Sequence, residues 1–155
     1  TTDEDYYECA YIVLKSLDNL ISTMDYPFPQ FKDTANKYRS VGVGMTNLAY
    51  CIAKNEKSYH DVEFIHSVAE RHYYMLTKAS VQLARERGSF EFIDKTKWSN
   101  GWLPIDTYNK KIDKIVHAVY NYNWESLRES VKEYGVRFSV LAAHMPCESS
   151  SLIST

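Results

Sequence analysis

The sequence predicts a mainly α-helical chain that ends in one β-strand of the buried type found in α/β proteins. Two observations carry this prediction. Over most of the chain, apolar residues recur at three- and four-residue steps, which is the spacing of one helix face. After Gly135 the period changes to two, and both faces of this last segment become apolar toward its end. That pattern is typical of a strand buried in a parallel sheet or barrel.

The first predicted helix covers residues 3–24. Its apolar residues share one face, and Thr2 or Asp3 can cap its start. Pro27 and Pro29 are expected to end it, because proline disrupts a helix interior and restricts the residue before it.

The second predicted helix covers residues 34–54 and contains Gly42 and Gly44. Each glycine costs about 1 kcal/mol relative to alanine in a helix interior. Such glycines permit close backbone packing or a break in the helix. The pair also resembles part of a nucleotide-binding glycine motif, but it follows no clear strand and lacks a third glycine. Helix packing is therefore the favoured role.

The rest of the chain is predicted to hold one long helix, two shorter ones and the strand. The long helix covers residues 61–87 and ends at Gly88, a good C-terminal residue. A loop packed by aromatic side chains follows, and residues 106–118 are predicted as a short helix. Asn123 caps a further helix that Gly135 closes, and the strand begins at Val136.

Composition excludes several classes of protein. The 155 residues suffice for one domain with a core. With 18 basic and 20 acidic residues, the net charge of −2 gives no electrostatic reason to expect a nucleic-acid or membrane partner. Cys9, Cys51 and Cys147 are too few and too scattered for a disulfide framework or a zinc site, so we expect a cytoplasmic protein.

The strongest local site in the sequence is the loop of residues 146–151. Pro146 ends the strand, and the following residues can direct backbone N–H groups and serine hydroxyls toward a phosphate. Glu148 would repel an anion unless its carboxylate faces away or binds a sugar hydroxyl. Two other interpretations stay open, a serine-rich helix cap and an unstructured chain end.

The remaining candidates are single side chains. Cys147 could act as a nucleophile near a helix start, but a small half-buried residue is the favoured interpretation, and His144 is expected on the opposite face. His60, His66 and His72 are spaced by six residues, which does not place them on one helix face. Surface or packing roles are therefore favoured over a metal site.

Five segments together resemble the large subunit of class I ribonucleotide reductases, most closely the versions carried by T-even-type bacteriophages. They occur in the family's order and extend over most of the chain. The segments are RSVGVGMTNLAY at 39–50, LPIDTY at 103–108, WESLR at 124–128, YGVRFS at 134–139 and MPCESSS at 145–151.

The resemblance implies an internal segment of a ten-stranded α/β barrel, with residues 1–155 as one partial domain. The full enzyme would reduce ribonucleoside diphosphates at the 2′ carbon through a thiyl radical and a redox cysteine pair. It would be a homodimer in the cytoplasm, or in the host cytoplasm if phage-encoded. It would need a di-iron tyrosyl-radical small subunit, a thioredoxin or glutaredoxin reductant, and ATP and dNTP effectors.

The resemblance also assigns the substrate diphosphate to the last loop, at Pro146, Cys147, Glu148, Ser149 and Ser150. The family commonly has Ser in place of Cys147 and often Thr in place of Ser149. No catalytic residue is expected within the chain, because the radical and redox cysteines match none of its three cysteines. A non-catalytic helical module that binds a protein partner through aromatic side chains is the alternative.

Overall fold

The computed structural model describes residues 2–107 and 119–153. Within these ranges the chain is mainly helical, as predicted. The α-helices are α1 Asp3–Thr23, α2 Pro29–Tyr38, α3 Leu48–Lys54, α4 Val62–Arg87, α5 Trp124–Tyr134 and α6 Glu148–Ile153. Three short 3-10 helices lie between α4 and α5, at Ile93–Lys95, Lys97–Asn100 and Pro104–Thr107.

The predicted helix ends are confirmed where a local capping signal exists. Thr2 and Asp5 form a capping box at the start of α1, in which each side chain accepts a hydrogen bond from the other residue's main chain. The Asn123 side chain accepts from the Ser126 N–H at the start of α5. Gly88 and Gly135 end α4 and α5 with positive φ.

The prediction of one continuous helix over residues 34–54 is wrong, because the helix is interrupted between Tyr38 and Leu48. Pro29 is the first residue of α2 rather than a terminator of α1, which agrees with the preference of proline for this position. Arg39 adopts a left-handed conformation, with φ 46°, and ends α2. The chain is then non-helical until α3 begins at Leu48, so Gly42 and Gly44 lie outside any helix.

The segment after Gly135 pairs with residues 41–43, but only over a short stretch. Val43 and Ala142 form an isolated parallel β-bridge. The Val41 N–H donates to Val140 O at 3.1 Å, and the Val43 N–H donates to Leu141 O at 2.9 Å. The predicted burial of both faces is wrong at Val140, which is 49% exposed, whereas Leu141 is fully buried. We call residues 40–45 and 137–145 the segment pair.

Two hydrophobic cores flank α4. The first lies between α1, α4 and the segment pair, and it is built from Ala10, Leu14, Met75, Leu76, Ala79, Leu83, Phe138 and Leu141. The second joins the other side of α4 to α5, and it is built from Val81, Phe90, Leu103, Trp124, Leu127, Val131 and Val136. Burial of these apolar surfaces is the main stabilising term in the fold.

One buried carboxylate fixes the entry to α5. Glu70 on α4 accepts hydrogen bonds from the main-chain N–H groups of Asn121 and Tyr122 and from Trp124 Nε1, the last at 3.0 Å. A buried carboxylate needs such donors to replace its lost hydration. The predicted short helix at 106–118 falls almost wholly outside the described residues.

Candidate functional site

The predicted phosphate loop lies directly after the segment pair. Pro146 is exposed and Cys147 is half-buried, and both precede α6. That helix begins at Glu148, so it starts inside the predicted loop rather than after it. Ser149 and Ser150 lie in its first turn with exposed side chains. The five predicted site residues are therefore the two residues that precede α6 and the first three residues of that helix.

The thiol of Cys147 is held by main-chain oxygens. Its Sγ lies 3.0 Å from Met145 O and 3.8 Å from Met45 O, and it donates to these acceptors. The second contact joins the loop to the end of residues 40–45. The thiol has one S–H proton, and two carbonyl oxygens lie within its reach, so it is held as a packing group, which agrees with the favoured interpretation of Cys147.

The two glycines of residues 40–45 lie against the chain that enters the loop. A Cβ atom placed on Gly42 would stand 2.9 Å from the Ala143 Cβ, and one on Gly44 would stand 2.7 Å from the Ala143 carbonyl oxygen. The predicted role in helix packing is therefore wrong, because both glycines admit an extended neighbour instead. The partner lies about a hundred positions later in the sequence, where no local pattern points to it.

His72 connects three elements beneath this site. Its Nε2 lies 3.2 Å from Val43 O and its Nδ1 lies 2.8 Å from the Tyr6 hydroxyl. Since a carbonyl oxygen only accepts, Nε2 carries the proton and Nδ1 accepts from Tyr6. Burial lowers the pKa of His72, and the nearby His144 lowers it further, against the hydrogen bond to Val43. The neutral ring is thus the stable form.

A cavity of about 230 Å³ opens between α4 and the segment pair, next to the entry of the loop. Its lining includes His72, His144 and Met45 together with small residues of the segment pair. Of the other two predicted histidine candidates, His60 is exposed and His66 lies 5.7 Å from the Tyr120 ring. Among residues 2–107 and 119–153, no group of three or more His, Cys, Asp or Glu could hold a metal ion.

A buried charge cluster, which sequence reasoning missed, holds the opposite end of the segment pair. Asp18 on α1 is 1% exposed and binds Arg39 at 2.7 Å, Arg87 at 2.7 Å and Arg137 at 2.8 Å. Burial alone would raise the pKa of Asp18, but the hydrogen bonds from Arg137 and Arg87 lower it below its usual value. Asp18 is therefore ionised, and it joins α1 to Arg39, which directly precedes residues 40–45, and to Arg137, the first residue of 137–145.

Two more of the segments that carry the family resemblance also meet in space. Arg128 donates to both carboxylate oxygens of Asp106, at 2.6 Å and 3.0 Å, and to the Gly101 carbonyl oxygen. Asp106 also accepts from the Leu103 N–H at 2.7 Å. Planar two-point pairing of this kind is among the stronger polar contacts in proteins. The second and third segments of the resemblance are thus held together as one unit.

Comparison with known proteins agrees with this resemblance over the whole chain. The family model "Ribonucleotide reductase, barrel domain" matches residues 1–155. The ribonucleoside-diphosphate reductase subunit alpha of Enterobacteria phage T4 is 47% identical over 148 residues, which is 95% of this chain and 20% of that relative. The subunit alpha of Haemophilus influenzae is 42% identical over 144 residues, or 91% of this chain and 19% of the relative.

The reductase 1 subunit alpha of Escherichia coli is 44% identical over 133 residues, which is 84% of this chain and 18% of that relative. The chain thus spans about a fifth of the length of these curated relatives. Within the described part of the chain, no helix is both long and apolar enough to cross a membrane.

Proposed function

This chain belongs to the ribonucleotide reductase barrel-domain family, and from that premise we propose that it works as part of a ribonucleoside-diphosphate reductase alpha subunit. The observation that carries the proposal is the family match over residues 1–155. The chain would be one partial domain of a ten-stranded α/β barrel. Its segment pair would contribute to the barrel wall, and the helices α1, α4 and α5 would cover it.

The proposed role of the last loop is to hold the substrate diphosphate. Pro146, Cys147, Glu148, Ser149 and Ser150 would form this site, the last three in the first turn of α6. Two features support the assignment: the MPCESSS segment, and the exposed side chains of Ser149 and Ser150 at the start of α6. Recognition through main-chain donors would not depend on the thiol of Cys147.

The rest of the chemistry is proposed for other parts of the assembly. The substrates would be ribonucleoside diphosphates, reduced in the cytoplasm of the cell or of the phage's host. A di-iron tyrosyl-radical small subunit would supply the radical, a thioredoxin or glutaredoxin would supply reducing equivalents, and ATP and dNTPs would act as effectors. The alpha subunit would act as a homodimer. This chain's part is to bind and position substrate.

The test compares the complete alpha subunit with the 155-residue chain. With a matching small subunit, reductant and effector, the complete subunit should convert a ribonucleoside diphosphate such as CDP to its deoxy form. The 155-residue chain under the same conditions should form none. Formation of dCDP by the short chain, or its absence with the complete subunit, would contradict the proposal.

The alternative, a non-catalytic module that binds a protein partner, is not favoured by the family match. Large apolar side chains such as Phe28 and Phe31 are exposed, at 57% and 56%. Within a barrel subunit, such faces would pack against the remaining chain. Purification of the complete subunit with a stoichiometric partner other than a reductase subunit would favour the alternative.

A further inference from the structure

We propose that Gly44, together with Gly42, is a positioning residue for the phosphate loop. The two glycines set how closely residues 40–45 approach the chain that enters the loop, and the loop's position follows from that distance. The inference rests on the proposed function, since it concerns where the substrate diphosphate is held.

The contact at Gly44 is with main chain and cannot relax by a rotamer change. A Cβ atom there would lie 2.7 Å from the Ala143 carbonyl oxygen and 2.8 Å from the Met145 Cε. The methionine end can move aside because its side chain is flexible. The carbonyl oxygen belongs to the backbone that forms the β-bridge at Ala142 and leads to Pro146. A methyl group at position 44 would therefore displace the backbone itself.

The contact at Gly42 is of a different kind. Its added Cβ would lie 2.9 Å from the Cβ of Ala143, and among residues 2–107 and 119–153, apart from the glycine's chain neighbours, no other atom lies within 4 Å of it. Removal of that one methyl group from Ala143 would make room again. The two glycines thus touch the same residue, one through its main chain and one through its side chain.

This contact is close enough to the loop to matter for substrate. Ala143 stands three residues before Pro146, and Cys147 Sγ contacts the oxygen of Met45, the neighbour of Gly44. The contact between the glycines and Ala143 is therefore linked to the loop in two ways, through the chain from Ala143 to Pro146 and through the contact of Cys147 with Met45. A displacement at Ala143 carries the loop with it, because the intervening residues are too few to absorb the shift.

The experiment measures the KM for a ribonucleoside diphosphate and the kcat of the complete alpha subunit with its small subunit. The single variants are Gly44→Ala, Gly42→Ala and Ala143→Gly. Two double variants combine Ala143→Gly with each of the glycine substitutions. A misplacement of about 1 Å can reduce enzyme efficiency by up to about a hundredfold, so we expect each glycine variant to raise KM about tenfold or more. The kcat at saturating substrate should stay within about twofold, because the diphosphate contacts are expected to bind the ground state and the transition state equally.

The double variants separate the two contacts. Ala143→Gly should restore the KM of Gly42→Ala to within about threefold of the parent, since the opposing methyl group is gone. It should leave the KM of Gly44→Ala raised, since the opposing carbonyl oxygen remains. A loss of folded subunit alone would lower kcat and leave KM unchanged.

Gly101→Ala is the matched control. Its added methyl would meet the side chain of Lys132 at 2.8 Å, at a position with φ +69°, so it strains the fold as well. It should lower the thermal unfolding temperature and leave KM unchanged. Should Gly44→Ala fail to fold, Gly42→Ala and its double variant still carry the test.

An unchanged KM in the glycine variants of an active subunit would overturn this proposal. So would equal rescue of both glycine variants by Ala143→Gly. A parent subunit without reductase activity would instead overturn the proposed function, so the two failures are distinguishable.

Discussion

The two ends of the segment pair are held by opposite means. At the start, the Asp18 carboxylate binds Arg39 and Arg137, which are 6% and 14% exposed. At the other end, Gly42 and Gly44 let the backbones approach through the absence of side chains, and the following loop is exposed. One end is held by buried charges, the other by close main-chain contact.

The first end of the segment pair is therefore expected to stabilise the fold, and the second end to leave space for a ligand. Buried charges with several donors hold their geometry strongly, but they leave no room for a ligand. Small residues hold two backbones close together without filling the space beside them with side chains. A site that admits a phosphate is therefore expected at the second end, where the loop lies. Substitutions at the first end should reduce stability, and those at the second should reduce substrate binding.

The largest expected effect comes from Asp18→Asn. Loss of the one carboxylate leaves Arg39, Arg87 and Arg137 close together without a counter-charge, and breaking a buried pair in this way costs about 3–5 kcal/mol. Urea denaturation of the chain measures the free energy of unfolding. Asp33→Asn is the control, because the Asp33 carboxylate is exposed on α2 and i,i+4 pairs of this kind contribute about 0.5 kcal/mol or less. Equal effects of the two substitutions would contradict the account.

A second comparison uses neighbouring residues of the segment pair. Leu141 is fully buried in the first core, so Leu141→Ala should reduce the free energy of unfolding by about 2–5 kcal/mol. Val140 is 49% exposed, and Val140→Ala should change it by less than about 1 kcal/mol. The two variants should be compared in one urea series. A larger effect at Val140 would contradict the observed burial of these two residues.

The pH dependence of stability should separate His72 from Asp18. The folded-state pKa of His72 lies below its ordinary value of 6.5, chiefly through burial, so the unfolded chain binds a proton first. The stability contributed by the neutral ring is present above pH 6.5 and is lost as the pH falls through the folded pKa. The lowered pKa of Asp18 acts in the same direction below its ordinary 3.8. His72→Gln should remove the decline in the free energy of unfolding that starts near pH 6.5. It should leave the decline below pH 3.8 that comes from Asp18. Urea denaturation at a series of pH values measures both.

The smallest expected effect is at Cys147. If main-chain donors hold the phosphate, Cys147→Ser should change the KM of the complete subunit by less than about twofold, since the hydroxyl can still donate to Met145 O. Steady-state kinetics measures this directly. A tenfold change would mean that the thiol itself takes part in binding.

Local signals predicted much of the fold and little of what holds the site. The ends of α1, α4 and α5 follow from Thr2, Gly88, Asn123 and Gly135, each of which acts on residues a few positions away. The Asp18 cluster joins residues 21, 69 and 119 positions apart, so no periodicity reveals it.

The two glycines of residues 40–45 are a second example of a contact that local sequence patterns do not predict. The sequence predicts Gly42 and Gly44 within a helix because the apolar pattern is helical again from Met45, although the cost of glycine in a helix interior also allows a break there. Their actual partner, Ala143, is distant in sequence. The predicted loop was located by its residues, Pro146 to Ser150, but the start of α6 at Glu148 needed the structure.

The most direct test of the central claim is the KM of the complete alpha subunit that carries Ser149→Asp. A negative charge in the exposed first turn of α6 would face the substrate diphosphate, and like charges in contact cost several kcal/mol. We predict a rise in KM of about tenfold or more, with the unfolding temperature unchanged. Ser16→Asp, an exposed position on α1, should leave KM unchanged. Equal KM values for the two variants and the parent would contradict the assignment of the diphosphate to this loop.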